Sequence, residues 1–140
     1  SYVQLIERID LTTNIFQTDF HAIWPINNRS MRIKSHYWQN SDLSLEIAIE
    51  DMSNVISTDS KTNDNIMIKV VAAHWLITPE ANGEITINYQ FIADAQGSVP
   101  TWLVNRLTLQ SIWATLGSIK QQLPHSPWQE KTLPHIQELK

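Results

Sequence analysis

The sequence contains no cysteine, only three glycines and few basic residues. Without cysteine the chain forms no disulfide bond and no thiolate metal site. Three scattered glycines exclude a glycine-rich phosphate-binding loop and a Gly-x-Ser-x-Gly nucleophile elbow. The 10 Lys and Arg residues form no cluster and are outnumbered by 14 Asp and Glu, which gives a net charge of −4. We therefore expect no nucleic-acid partner, because phosphate binding needs clustered positive charge.

Long apolar runs are scarce as well. No segment approaches the roughly 18 apolar residues of a membrane span, and residues 1–15 lack the apolar core of a signal peptide. Hydrophobic residues make up 42 % and charged residues 17 % of the 140 residues, which is the balance and length of one globular domain. Because the chain opens at Ser1 inside a segment that already looks ordered, we expect a fragment of a longer protein.

Residues 2–94 alternate between apolar and polar residues, as half-buried strands do. The pattern predicts six strands, at residues 2–10, 16–24, 31–37, 43–50, 66–77 and 84–94. Residues 66–77 are apolar at nearly every position, which predicts a strand covered on both faces. Most connections are only a few residues long, so neighbouring strands must be antiparallel. The polar segment 51–65 predicts an exposed loop.

One long helix is predicted over residues 100–123. Gly97 breaks the preceding strand, Pro100 suits a first helical turn, and Pro124 ends the helix. The predicted fold class is therefore α+β, with an antiparallel meander sheet and one long C-terminal helix. A proline-containing tail follows at residues 124–140.

The predicted helix has an apolar face. Large apolar residues recur at helical spacing, which predicts that the helix packs on the sheet and buries Trp102 and Trp113. At the start of the helix, Leu103, Val104 and Leu107 are apolar on a side that is polar further along. This end is thus apolar nearly all round.

Three sequence motifs follow one another along the chain. They are Trp24-Pro-Ile-Asn-Asn-Arg29, Trp75-Leu-Ile-Thr-Pro79 and Asp94-x-x-Gly97-x-x-Pro100-x-Trp102-Leu103-Val104-Asn105. Together they resemble the START-domain (StAR-related lipid-transfer) family, in particular its bacterial members. The resemblance covers residues 1–123 and implies a helix-grip (START/Bet v 1-like) fold, in which a curved antiparallel sheet wraps the C-terminal helix. The chain has no counterpart of the family's N-terminal third, and Ser30 stands where the family usually has an acidic residue.

The resemblance implies non-catalytic binding or transfer of a lipid, a sterol or another hydrophobic small molecule in an apolar cavity between sheet and helix. It implies no cofactor and no catalytic residue. The residues expected to line the cavity are Phe16, Phe20, Met31, Ile33, Tyr37, Ile47, Tyr89, Phe91, Leu103 and Leu107, and the polar groups expected to orient a ligand are Thr18, Ser35, Tyr37 and Tyr89. The residues expected to form the motifs and the ligand gate are Trp24, Pro25, Arg29, Asp94, Gly97, Pro100, Trp102 and Asn105. An opening gate would make a transient contact with a membrane surface.

Other functions stay open at this point. Polyketide cyclases and aromatases use a related fold, so an enzyme acting in the same cavity is an alternative, although the sequence suggests no convergent set of catalytic side chains. An exposed sheet edge would favour a homo-oligomer or association with a missing N-terminal fragment. We expect no metal site, because the five histidines lie on separate predicted elements without ligand spacing.

Overall fold

The computed structural model describes residues 2–21, 27–54 and 65–139. The chain divides into two compact units, Ser1–Gly97 with Glu138–Lys140, and Ser98–Gln137. The first unit contains a seven-stranded sheet and the second contains one long helix. The elements are β1 (Tyr2–Arg8), β2 (Thr13–Phe20), β3 (Arg29–Gln39), β4 (Leu45–Asp51), β5 (Ile66–Met67), β6 (Lys69–Pro79), β7 (Ile85–Asp94) and α1 (Thr101–Gln122).

The six longer strands pair in the order β1-β2-β3-β4-β6-β7, each antiparallel to its neighbour. This confirms the predicted meander. Strand β5 is an addition, because it pairs parallel with the start of β3, where Arg29 is opposite Ile66 and Ser30 is opposite Met67. A strand of two residues has no alternation to detect, so the sequence pattern could not reveal it.

The observed starts of β2 and β4 differ from the predicted ones, because the turns before these strands fix where each strand begins. Strand β4 begins at Leu45 rather than residue 43, because Leu43 has a φ of 68° and belongs to the preceding turn. Strand β2 begins at Thr13 rather than residue 16, because the turn before it is closed early by the Asp10 carboxylate, which accepts the Thr12 N–H at 2.8 Å. Residues 22–26 and 55–64, from the predicted strand 16–24 and the predicted loop, lie outside the described residues.

The expectation of one strand at residues 66–77 covered on both faces is wrong. The segment divides into β5 and β6, and the pairing of β6 with β7 shifts between Val70 and Ala72. Val71 at this bulge is 62 % exposed, whereas Val70 is buried. A bulge inserts one residue without changing the apolar composition, so the run of apolar residues concealed it.

The pairing register separates two faces of the sheet. Phe16 lies opposite Ile33, and Ile47 lies opposite both Tyr37 and Trp75. Directly opposite residues of an antiparallel pair point to the same side, as do residues two apart along a strand. We call this side the apolar face. Its large residues include Leu5, Phe16, Phe20, Met31, Ile33, Tyr37, Leu45, Ile47, Ile49, Trp75, Ile77, Ile85, Ile87, Tyr89 and Phe91.

Helix α1 has nearly the predicted limits. It begins after Pro100, whose carbonyl accepts the Leu103 N–H at 3.0 Å, and it is followed by two short 3-10 helices, Leu123–His125 and Pro127–Glu130. Trp102 and Trp113 lie on α1 in the second unit, and their burial against the sheet stays a prediction. Apolar spacing indicates a face that packing can cover but not what covers it. Among the described helices, none has the length and apolarity needed to cross a bilayer.

Candidate ligand-binding site

The apolar face brings together the predicted ligand-binding residues that lie on strands. Strands β2, β3, β4 and β7 contribute them, and the register turns them all to one side. Each is half-buried, and they are Phe16, Phe20, Met31, Ile33, Tyr37, Ile47, Tyr89 and Phe91. Leu103 and Leu107 lie on the first two turns of α1, in the second unit. A ligand-binding role for these residues stays a prediction.

An aromatic group occupies the part of the apolar face formed by β6 and β7. The rings of Trp75 and Tyr89 stack with centroids 3.9 Å apart, and Phe91 follows with its centroid 6.1 Å from that of Tyr89. Burial raises the pKa of the Tyr89 phenol above its ordinary value of 10.0, so the hydroxyl stays neutral near pH 7. The sequence prediction placed Trp75 in a motif and missed its place on this face, although its alternation with Ala73 and Ile77 carried the signal.

Within the first unit, the large side chains of the apolar face are half-buried. Among the described residues, no large side chain is fully buried, and the deepest apolar positions on this face are the small residues Val70 and Ala73, which are 4 % and 7 % exposed. The larger aromatic and aliphatic side chains around them are half-buried. Half-buried apolar side chains gathered from several strands are typical of a ligand or partner surface.

Polar side chains interrupt the apolar face at a few points. Asp51, opposite Ile33, holds the start of β6, because its carboxylate accepts the Val70 N–H at 2.9 Å. Asn14 lies opposite Ser35, and the Asn14 Oδ1 atom is buried without a hydrogen-bond partner. Asn14 falls between the predicted strands at residues 2–10 and 16–24. Its polarity gave no sign that it belongs to the sheet.

Arg29 of the first motif is a buried structural residue. Its guanidinium donates to the carbonyl oxygens of Asn27, Ala95 and Gln96 at 2.8, 3.0 and 3.2 Å, and the residue is 8 % exposed. These carbonyl groups take the place of the acidic partner that the resemblance implies for Arg29. Ser30, which follows Arg29, donates its hydroxyl hydrogen to the Asp19 carboxylate at 2.6 Å. Arg29 thus ties the start of β3 to the segment that follows β7.

Residues of the third motif shape that segment. The Asp94 carboxylate accepts the Gln96 N–H at 2.9 Å, and both Gln96 and Gly97 have positive φ values, 55° and 72°. A Cβ atom on Gly97 would approach the Ile66 Cδ1 atom to 3.1 Å. Glycine therefore suits this position for both its backbone conformation and its small volume.

The remaining motif residues are spread over the chain. Trp24 and Pro25 lie outside the described residues, so the structure does not place this part of the predicted gate. Pro100 precedes the first turn of α1, and Trp102 and Asn105 are exposed on that helix. The gate stays a prediction.

The opposite face of the sheet carries charged and polar residues. Glu46 accepts hydrogen bonds from the Asn40 amide at 2.7 Å and from His74 Nε2 at 2.8 Å. These contacts, first that of Asn40 and then that of His74, hold the pKa of the Glu46 carboxyl below its ordinary value. In the described part of the chain, no three His, Asp or Glu side chains are grouped to hold a metal ion.

Eleven solved protein chains are similar to this chain, and three of them are described here. A STAR-related lipid transfer protein from Xanthomonas axonopodis matches with a TM-score of 0.71 and 22 % identity, over 87 % of this chain and 66 % of that one. The chain has the START fold. Human STARD10 matches with a TM-score of 0.65 and 18 % identity, over 96 % and 60 % of the two chains. The lipid transfer and protein localization domain of human StarD13 matches with a TM-score of 0.61 and 16 % identity, over 73 % of this chain and 51 % of that one.

The START fold confirms the helix-grip class and the resemblance drawn from the three motifs. TM-scores of 0.61 to 0.71 at sequence identities of 16 to 22 % show a shared fold, and they do not show a shared activity. The chain spans between 51 and 66 % of the length of these structures. No protein-family model and no curated protein sequence matches it.

Proposed function

We propose that this chain binds one hydrophobic small molecule, a lipid or a sterol, against the apolar face of its sheet. The observation that carries the proposal is the register, which turns large aromatic and aliphatic side chains to one side and leaves them half-buried. The fold it shares with proteins named for lipid transfer supports the same function. Leu103 and Leu107 of α1 are proposed as further ligand contacts.

The energetics favour binding without a charged anchor. Each buried methylene contributes about 0.8 kcal/mol, so an acyl chain of about ten methylenes gains about 8 kcal/mol, which corresponds to micromolar affinity. The charged side chains Arg29 and Asp51 on the apolar face are already bound to the protein's own backbone. Because these two side chains already hydrogen-bond the backbone, they favour a binding protein over a cyclase or aromatase, whose chemistry needs free acid–base groups.

A binding titration with matched variants tests the proposal. Ile47→Thr places a hydroxyl on the apolar face, whereas Ile92→Thr makes the same change on the opposite face, where Ile92 is 59 % exposed. We expect the first variant to weaken binding of a fluorescent fatty acid about tenfold, because a polar group enters the ligand surface, and the second to leave binding unchanged. Equal effects of the two variants would show that the ligand does not use the apolar face.

Self-association is a further part of this proposal. Strand β1 lies at the end of the strand order, all its residues are exposed, and Tyr2, Val3, Leu5 and Ile6 are each at least 43 % exposed. An apolar edge strand of this kind favours pairing with a second copy. Light scattering should detect a dimer that Leu5→Lys dissociates, and a monomer at all concentrations would rule the dimer out.

A further inference from the structure

We propose that Arg8 gives the apolar face a preference for single-chain lipids with an anionic head group, such as fatty acids. The inference rests on the proposed function, because it names the ligand class of the same surface. Arg8 lies directly opposite Asn14 on the β1 side of the apolar face, whereas the adjacent Glu7 lies opposite Ile15 on the other face. Arg8 is exposed, and its guanidinium forms no ion pair and no hydrogen bond with the residues that the structure describes.

The other charged groups near this face are engaged. The Arg29 guanidinium donates to three backbone carbonyl groups. The Asp51 carboxylate accepts the Val70 N–H at 2.9 Å. In the turn after β1, the Asp10 carboxylate accepts the N–H and the hydroxyl of Thr12 at 2.8 and 3.1 Å. On the described part of the apolar face, Arg8 is therefore the charged side chain that is left for a ligand.

A row of six residues crosses the sheet from Arg8 and changes from polar to apolar. Each residue is directly opposite the next one, and the order is Arg8, Asn14, Ser35, Ile49, Ala73 and Phe91. Neighbouring strands are about 4.8 Å apart, so the row is about 24 Å long. One end carries a cation and two neutral polar side chains, and the other end carries only apolar ones. This polarity matches a ligand with a charged head and a hydrocarbon chain.

The apolar part of the row offers contacts for a hydrocarbon chain. Ile49 and Phe91 are half-buried, and so are Phe16 and Ile33 in the row beside it. Burial of methylene groups against these side chains supplies most of the affinity. The charge of Arg8 then selects among ligands that have the same chain.

Asp51 indicates which way such a ligand lies. It follows Ile49 by two residues on the same face, so its negative charge disfavours an anion over β4. Arg8 attracts an anion to β1, three strands away along the sheet. The carboxylate of a bound fatty acid therefore lies beside Arg8, and its chain extends toward Phe91.

A carboxylate uses this cation better than a neutral head group does. A guanidinium can donate two parallel N–H bonds to a carboxylate, whereas an amide or a hydroxyl gains no charge–charge attraction from it. Because Arg8 is exposed, water screens the pair and limits the gain in affinity to about three- to fivefold.

Competition between two matched ligands tests the inference. Decanoate and decanamide have the same chain and nearly the same shape, but only decanoate is charged near pH 7. Each displaces the neutral probe N-phenyl-1-naphthylamine from the wild type, Arg8→Gln and Arg8→Lys. The control variant is Lys69→Gln, which removes the same charge from an exposed position on the opposite face.

We expect Arg8→Gln to bind decanoate about three- to fivefold more weakly than the wild type and to bind decanamide equally well. This difference should shrink at about 0.5 M salt, which screens exposed ion pairs. Arg8→Lys keeps the charge and should retain most of the decanoate affinity, and Lys69→Gln should bind both ligands like the wild type. All variants should unfold at the wild-type temperature.

Three results would overturn the inference while the proposed function stands. They are an unchanged decanoate affinity in Arg8→Gln, an equal loss for decanoate and decanamide, and a decanoate loss in Lys69→Gln or Arg8→Lys as large as that in Arg8→Gln. If neither ligand displaces the probe from the wild type, the proposed function fails together with the inference.

Discussion

Trp75 and Tyr89 stack on the apolar face with ring centroids 3.9 Å apart and ring planes 23° from parallel. The two residues lie directly opposite each other on β6 and β7, so the rings join the last two strands of the meander. The stack therefore has two roles in our account, since it stabilises the strand pair and presents a flat surface to a ligand.

Tyr89→Ala removes one ring of this stack. We expect a loss of about 2 kcal/mol in the free energy of unfolding, which is below the value for a fully buried aromatic residue because Tyr89 is half-buried. Tyr89→Phe keeps the ring and should change stability by less than about 0.5 kcal/mol. Urea unfolding measures both, and equal losses in the two variants would contradict a role for the stack.

The hydrogen bonds that the Glu46 carboxylate accepts from Asn40 and His74 make stability depend on acid pH. Because the folded state holds the pKa of Glu46 below its ordinary value of 4.5, the contribution of Glu46 is present above pH 4.5 and is lost as the pH falls through the lowered pKa. Glu46→Gln should remove this part of the acid sensitivity, whereas Glu130→Gln should not. Urea midpoints between pH 7 and pH 3 test it, and identical curves for the wild type and Glu46→Gln would refute it.

Arg29→Lys should weaken the junction between β3 and the segment after β7. Lysine keeps the charge but cannot reach three carbonyl oxygens in the geometry that the guanidinium fits. We expect a loss of about 2–3 kcal/mol in unfolding free energy, since at least one buried carbonyl loses its donor. Arg106→Lys, at an exposed position of α1, serves as the control. A stability of Arg29→Lys equal to that of the control would mean that the three contacts are not maintained in solution.

Much of the sheet was predictable because its signal is local. In β7, the alternation of Ile87, Tyr89 and Phe91 with polar residues was enough to assign the strand and its apolar side. The short connections then fixed the antiparallel order. Features that depend on a partner strand were not predictable, including the bulge at Val71 and the short strand β5.

The candidate site was predicted in part for the same reason. Alternation selected the apolar side chains that the register later turned to one face. It could not select Asn14, because a polar residue after a short turn is typical of the turn itself. The partners of Arg29 could not be predicted either, because they are backbone carbonyl groups and every residue type has one.

Native mass spectrometry of the protein purified from cells tests the central claim most directly. We expect a species heavier than the 16.1 kDa chain by the mass of one hydrophobic molecule, which is lost under denaturing conditions and recovered in an organic extract. The extra mass should be reduced in Ile47→Thr and retained in Ile92→Thr. A bare chain that also takes up no added sterol, alcohol or fatty acid would contradict the account.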